Sequence, residues 1–145
     1  MTGVDTNILI DLMVSSSQSH RSSVNAISQS EDDLCTTPTN IGECLRLLTH
    51  SKVFSNPLTL GRAVTVLDQM LDYYKLQILD ESIDWWKELI KIEKEIPGII
   101  PGIRGNEIFD ARIALCLKSH GVKKIYTRDA DFKKYSFLKL MDLSG

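Results

Sequence analysis

Gly3-Val4-Asp5, followed after Thr6 by Asn7-Ile8-Leu9-Ile10-Asp11-Leu12-Met13-Val14, is the stretch whose change of pattern decides the fold. The first three residues read as the end of a very short strand. The later eight space their apolar side chains for a helix. Asp5 falls at the junction, at the edge of elements that should be buried. A carboxylate in such a place is costly unless it is paired, hydrogen-bonded or set against a cation.

The same strand-then-helix pattern recurs outward along the chain. Ser15 to Ser19 is turn-like, and Val24 and Ile27 give Ser22–Ser30 a weak amphipathic helix. Leu34-Cys35-Thr36 suits a strand, with Pro38 after it. Thr39 or Asn40 can cap the next helix, which carries Glu43 in its first turns and a stripe of Ile41, Cys44, Leu45, Leu47 and Leu48. Ser55-Asn56-Pro57 breaks the pattern. A longer helix is expected over Leu60–Tyr74, with Val64, Leu67 and Leu71 on one face, and Leu76–Leu79 reads as a strand. Asp80, Glu81 and Ser82 open a helix through Ile83, Trp86, Leu89, Ile90 and Glu93. Ile96–Gly105 (IPGIIPGIRG) is a loop with two Pro-Gly pairs. A helix over Glu107–His120 stops at Gly121. Lys124–Thr127 is a strand, Arg128–Lys134 a turn, and Leu138–Met141 a last short strand. Alternation of this kind predicts an α/β fold, a three-layer α/β/α sandwich around a mainly parallel sheet. With 145 residues, and neither an internal repeat nor a linker, the expectation is one domain over residues 1–145.

Composition narrows the class. At 43% hydrophobic and 25% charged the chain is ordinary for a globular protein. Cys35, Cys44 and Cys116 are scattered and form no C-x-x-C pair, so packing in a reducing cytoplasm is expected rather than a disulfide or zinc framework. No apolar run approaches the ~20 residues of a membrane span. Charge is uneven: residues 1–72 carry four basic and eight acidic side chains, residues 73–145 thirteen and eleven. Between Lys118 and Lys139 seven basic residues face only Asp129 and Asp131. Such a cluster either attracts a polyanion such as RNA or is a solvated Lys-rich face.

Asp5 has three counterparts in comparable settings: Glu43 in NIGEC, Asp110 in FDAR and Asp129 in TRDADF. Ligands of open parallel sheets bind outside the carboxyl ends of the strands. Asp5 ends one strand and Asp129 follows another, so both should reach one rim, with Glu43 and Asp110 on helices that start near it. Each acid has a plainer account: Asp5 as a helix cap, Glu43 and Asp110 as early-turn acids favouring the helix dipole, Asp129 and Asp131 as an ordinary turn. If they converge, they cannot all stay ionised without a counter-charge. An oxygen-only donor set selects Mg²⁺ or Mn²⁺ over zinc. His20, His50 and His120 occur in no ligand spacing and are expected to be exposed helix residues. A carboxylate-held hard cation supports phosphodiester hydrolysis by acidifying water and offsetting transition-state charge. There is no G-x-S-x-G, P-loop or G-x-G-x-x-G to favour other chemistry. The aspartyl-phosphatase pattern wants a second Asp two residues after Asp5, where this chain has Asn7.

On these motifs the chain resembles PIN-domain proteins nearly end to end, and more narrowly the VapC-type toxin ribonucleases of type II toxin–antitoxin modules. VDTNILIDL (residues 4–12), TNIGECLRLL with Glu43, IFDARIALCLKSHGV with Asp110, and Thr127-Arg128-Asp129-Ala130-Asp131-Phe132 carry the resemblance. It implies a Mg²⁺- or Mn²⁺-dependent endoribonuclease with Asp5, Glu43, Asp110 and Asp129 as catalytic, metal-binding acids. It further implies an inhibitory antitoxin partner and a homodimer. Asp131 is a weaker fifth candidate, and Glu107 is a competing nearby acid. Thr127 is expected to hydrogen-bond a ligating carboxylate and Asn7 to orient Asp5. Arg112 either meets substrate phosphate or covers the helix surface. Apolar residues of Ile8–Met13, Leu45–Leu48 and Leu60–Tyr74 serve a partner or the core. Trp85 and Trp86 are adjacent, so one should be a partly exposed anchor, at an interface or against the Pro-Gly loop. The alternatives are a non-catalytic PIN-like module binding RNA or protein, and a PIN nuclease that is not a toxin.

Overall fold

The computed structural model describes residues 1–98 and 102–143. Its strands are β1 (Thr2–Val4), β2 (Leu34–Thr36), β3 (Gln77–Ile78), β4 (Lys124–Tyr126) and β5 (Lys139–Leu140). Its helices are α1 (Thr6–Met13), α2 (His20–Ser28), α3 (Pro38–Leu48), α4 (Leu60–Tyr73), α5 (Trp85–Lys94) and α6 (Glu107–Ser119), with a 3₁₀ helix over Ala130–Lys134. The five strands form one sheet in the order β3-β2-β1-β4-β5, every neighbouring pair parallel. The chain therefore starts at the centre, builds outward through β2 and β3, and returns to the other side of β1 for β4 and β5. The place where the order reverses, between β1 and β4, is where such sheets bind ligands.

Side-chain alternation along the strands divides the core in two. Val4, Leu34 and Tyr126 pack with Ile8, Leu9 and Leu12 of α1, Ile27 of α2, Cys44 of α3, and Leu67 and Met70 of α4. Cys35 and Ile125 point the other way, toward Ile92 of α5 and Ala114 and Leu117 of α6. Sheet strands buried on both faces give the expected three layers. Gly3 allows the second layer to approach: a Cβ there would lie 3.0 Å from a Leu117 methyl carbon.

Several expected boundaries shift for identifiable reasons. Thr37 caps α3, accepting from the Asn40 amide at 3.3 Å, and Pro38 takes the first helical turn, where it loses no hydrogen bond. The cap is therefore earlier than Thr39 or Asn40. On α4 the buried stripe is Ala63, Leu67 and Met70, while Val64 faces solvent. On α5 the inward set is Trp85, Leu89 and Ile92; of the expected Ile83, Trp86, Leu89 and Ile90, only Leu89 packs inward, and the other three are exposed. Packing against α6 sets that phase, since Trp85 lies under the Arg112 guanidinium, 3.8 Å from the ring centroid. Trp86 is the exposed member of the tryptophan pair.

Gly121, at φ +71°, ends α6 in the left-handed conformation, and the Val122 amide reaches back to the Leu117 carbonyl at 3.0 Å. Within the Ile96–Gly105 stretch, residues 99–101 fall outside the described residues; the flanks are irregular, as expected. All three cysteines are buried and free. Among the described residues, no helix is long and apolar enough to cross a membrane.

Candidate metal centre

Register places the first two site residues. Val4 pairs with Tyr126, so the residues that follow each strand, Asp5 and Thr127, emerge side by side at the carboxyl rim. The Asp5 amide donates to the Tyr126 carbonyl at 3.0 Å. Only 6% of Asp5 is exposed, yet its carboxylate is well supplied with donors. It accepts from the Thr6 amide at 2.8 Å, Asn40 Nδ2 at 3.1 Å and Thr127 Oγ1 at 2.6 Å. Asp5 is thus the cap of α1 and a member of the rim at once. Burial pushes its carboxyl above the ordinary Asp range, the donors oppose this, and neighbouring Asp129 adds to the rise.

The Thr127 hydroxyl uses its full capacity of one donor and two acceptor sites. Besides Asp5, it accepts from the Asp129 amide at 3.0 Å and from Asn7 Nδ2 at 3.4 Å. Asn7 therefore bears on Asp5 through Thr127 rather than directly. Asp129 in turn caps the 3₁₀ helix, its Oδ1 accepting from the Asp131 amide at 2.9 Å. This folds Asp131 back toward the rim.

α3 leaves the same rim after β2. Its residue Asn40, 1% exposed, accepts from Thr37 Oγ1 at 2.7 Å and donates to Asp5 and to Thr6 Oγ1, the latter at 3.0 Å. Thr6 then donates to Glu43 Oε1 at 3.0 Å. Burial raises the Glu43 carboxyl, and the charge of Asp5 raises it further. Sequence reasoning missed Asn40, Thr6 and Thr37. The available signal was Asn40 lying three residues before Glu43, hence on the same helix face.

α6 begins at the rim and brings Asp110 in its first turn. Burial, then the charges of Asp129, Asp5 and Glu43, push its carboxyl up to about 6, with Lys134 opposing. Oxygen atoms of Asp110, Asp129 and Asp131 all lie within 4.8 Å of one another. Asp131, the doubtful fifth acid in the sequence, is part of this tightest group. Glu107 is not, and its carboxylate is taken by Lys134 at 3.1 Å. The all-oxygen donor set and unrelieved repulsion of these acids fit a hard divalent cation.

Other expected participants are engaged elsewhere. Arg112 makes a two-pronged pair with Glu81, Nε to Oε2 at 2.7 Å and NH2 to Oε1 at 2.6 Å, and stacks on Trp85. That geometry binds α6 to the segment before α5 and leaves its donors turned to Glu81. The basic stretch is partly spent as well: Lys118 pairs with Glu95 and Lys134 with Glu107. Arg128 lies 2.5 Å from Asp11. Asp11, 3% exposed, also accepts from Ser17 at 2.8 Å and Ser23 at 2.7 Å, and these bonds with Arg128 hold its carboxyl below the ordinary range despite burial. Of the histidines, His20 meets the Asp11 carbonyl at 2.6 Å and His120 the Asp80 carbonyl at 2.7 Å, and neither joins the acids' oxygen cluster.

Known proteins bear on this arrangement. The chain is 24% identical over 98 residues to Ribonuclease VapC48 of Mycobacterium tuberculosis, covering 68% of this chain and 64% of that protein. It thus spans less than two-thirds of the length of that relative. In three dimensions it is similar to Mycobacterium tuberculosis VapC20, a Sarcin-Ricin loop cleaving toxin, with TM-score 0.71, 15% identity and coverage of 98% and 100% of the two chains. It is also similar to VapBC2 of Rickettsia felis, solved with a DNA fragment from the promoter, with TM-score 0.65, 18% identity and coverage of 97% and 96%. VapBC-1 of nontypeable Haemophilus influenzae gives TM-score 0.61 at 16% identity over 99% and 98%. These structural likenesses concern the fold. The family described as PIN domain matches residues 4–138, nearly the whole chain, and the chain belongs to that family.

Proposed function

We propose that this chain, acting as one PIN-domain unit over residues 1–145, is a metal-dependent endoribonuclease and the toxin of a type II toxin–antitoxin module. The observation that carries the reading is the convergence of Asp110, Asp129 and Asp131 oxygens within 4.8 Å of one another at the sheet's switch point. Asp5 and Glu43 stand beside them, electrostatically coupled to Asp110.

These residues would hold Mg²⁺ or Mn²⁺. Such an ion, when bound, stabilises negative charge developing on a phosphodiester and makes a water more acidic. The chain's own contribution is orientation. Thr127 and Asn40 fix Asp5, Thr6 steadies Glu43, and the Asp131 amide fixes Asp129. Lys133, in the 3₁₀ helix that follows Asp129, adds positive charge beside this rim for a polyanionic substrate, whereas Lys124 and Lys139 start β4 and β5 at the opposite edge of the sheet. A relative named as a ribonuclease and a structural neighbour named as a Sarcin-Ricin loop cleaving toxin support RNA as substrate, and the VapBC neighbours support an antitoxin as partner; a homodimer as the working state and the cytoplasm as location belong to the same proposal.

Sequencing RNA ends after brief expression of wild type and Asp5→Asn tests catalysis and site together. New ends are expected with wild type only. Purified protein that cuts RNA equally well in excess chelator, or as Asp5→Asn, would sink the metal assignment. RNA binding that survives chelation with no cleavage on varied RNAs would instead favour a non-catalytic PIN module. A PIN nuclease outside toxin–antitoxin systems would cut RNA but arrest no growth, with no neighbouring small gene restoring it.

A further inference from the structure

Two acids of the cluster lack a protein donor among the described residues, exposed Asp131, which solvent can serve, and partly buried Asp110; a tyrosine hydroxyl on the neighbouring segment lacks an acceptor. Asp5, Glu43 and Asp129 each accept at least one hydrogen bond. Asp110 accepts none among the described residues. Tyr135, 1% exposed, has a hydroxyl that is fully buried and unpartnered. An unsatisfied buried hydroxyl carries an uncompensated desolvation penalty, so its persistence calls for a physical reason.

Side chains next to the two are in contact. Tyr135 directly follows the 3₁₀ helix, its ring fixed by Phe132 at 5.9 Å and Phe137 at 6.3 Å between centroids. Lys134 Nζ lies 5.6 Å from the Tyr135 ring centroid and 3.1 Å from Glu107 Oε2. Glu107 stands one turn before Asp110 on the same face of α6. Burial above all pushes the Tyr135 hydroxyl up, and of the acids that add to the rise Asp110 weighs most, ahead of Glu107, Asp129 and Asp131.

We propose that Tyr135 is a positioning residue of the metal centre, its hydroxyl donating to the Asp110 carboxylate when a divalent ion draws that carboxylate into the cluster. Such a partner would fix which oxygen of Asp110 faces the ion and would satisfy the stranded hydroxyl in the same step. The inference rests on the metal reading above.

The test is Mn²⁺ binding by calorimetry to RNA-free wild type and Tyr135→Phe, with melting of the metal-free proteins alongside. Phenylalanine keeps the ring among Phe132 and Phe137. Loss of an outer hydrogen bond to a ligand lowers metal affinity about 10–100-fold. That loss is expected in Tyr135→Phe, with metal-free melting unchanged or raised because an unsatisfied group has been removed. Equal Mn²⁺ affinity in the two proteins overturns the proposal while leaving the metal reading intact. A lowered metal-free melting temperature also overturns it, since the hydroxyl would then have a partner without the ion. Wild type that binds no Mn²⁺ overturns both.

Discussion

Thr127 Oγ1 donates to Asp5 Oδ2 at 2.6 Å across 122 residues of sequence. The bond follows from the parallel register of β1 and β4, which sets the residues after Val4 and Tyr126 beside each other. Because the same hydroxyl accepts from the Asp129 amide, one small side chain spaces two of the acids.

Asp5→Asn keeps the shape of the side chain but puts an amide where donors already converge. Cleavage of RNA should fall at least ~100-fold, the scale of losing a preorganised electrostatic group, and Mn²⁺ affinity should fall with it. Single-turnover cleavage and calorimetry on the same preparation check both. Wild-type activity in this variant would remove Asp5 from the centre.

Asp110 gives a pH dependence of unusual sign. Its folded value of about 6 exceeds the usual 3.8. Between these values the folded protein holds a proton that the unfolded chain has released. The resulting stabilisation is present in full below the unfolded value and is lost as pH rises through about 6. Melting of metal-free wild type should therefore fall behind that of Asp110→Asn as pH rises from 4.5 to 7. Mn²⁺ affinity should move oppositely and strengthen over the same range, because the ion needs the ionised form. A constant difference in melting temperature across that range would contradict the raised value.

The strand ends and helix starts that carry Asp5, Glu43, Asp110 and Asp129 were legible because hydrophobic period changes mark them directly. Helix phase was less so. The Ile83, Trp86 and Ile90 set has helical spacing as good as that of Trp85, Leu89 and Ile92, and only the facing surface of α6 decides between them. Asn40 read only as a cap candidate for a related reason: it shares a helix face with Glu43, but its role is set by a neighbour 35 residues away in sequence. Asp131 was undervalued because sequence gives no sign that the Asp129 carboxylate folds the turn back on itself.

Arg112 should prove to hold the scaffold. Arg112→Ala removes a two-pronged pair with Glu81 and a stack on Trp85. A stability loss of about 1–3 kcal/mol is expected for hydrogen bonds to charged groups, with RNA cleavage per folded molecule unchanged. Urea denaturation and a cleavage assay on one sample separate these. Lost cleavage with intact stability would return Arg112 to the substrate.

Arg128 is the counter-charge of buried Asp11. Arg128→Ala leaves that carboxylate with Ser17 and Ser23 alone, and about 1–3 kcal/mol should be lost for an under-satisfied buried acceptor. Arg128→Ala/Asp11→Asn should recover part of it, as read by a double-mutant cycle in urea. Absence of any recovery would show that Arg128 acts through its contacts with Asn7 instead.

The order in which the chain builds its sheet has a consequence for translation. β1 comes first and occupies the centre, but its neighbour β4, which delivers Thr127, Asp129 and Asp131 to the rim, comes almost last. A nascent chain that has emerged only through α6 lacks two of the three oxygens in the tightest cluster and the hydroxyl that spaces Asp5. On the ribosome the three-acid cluster is therefore incomplete until residue 131 has cleared the exit.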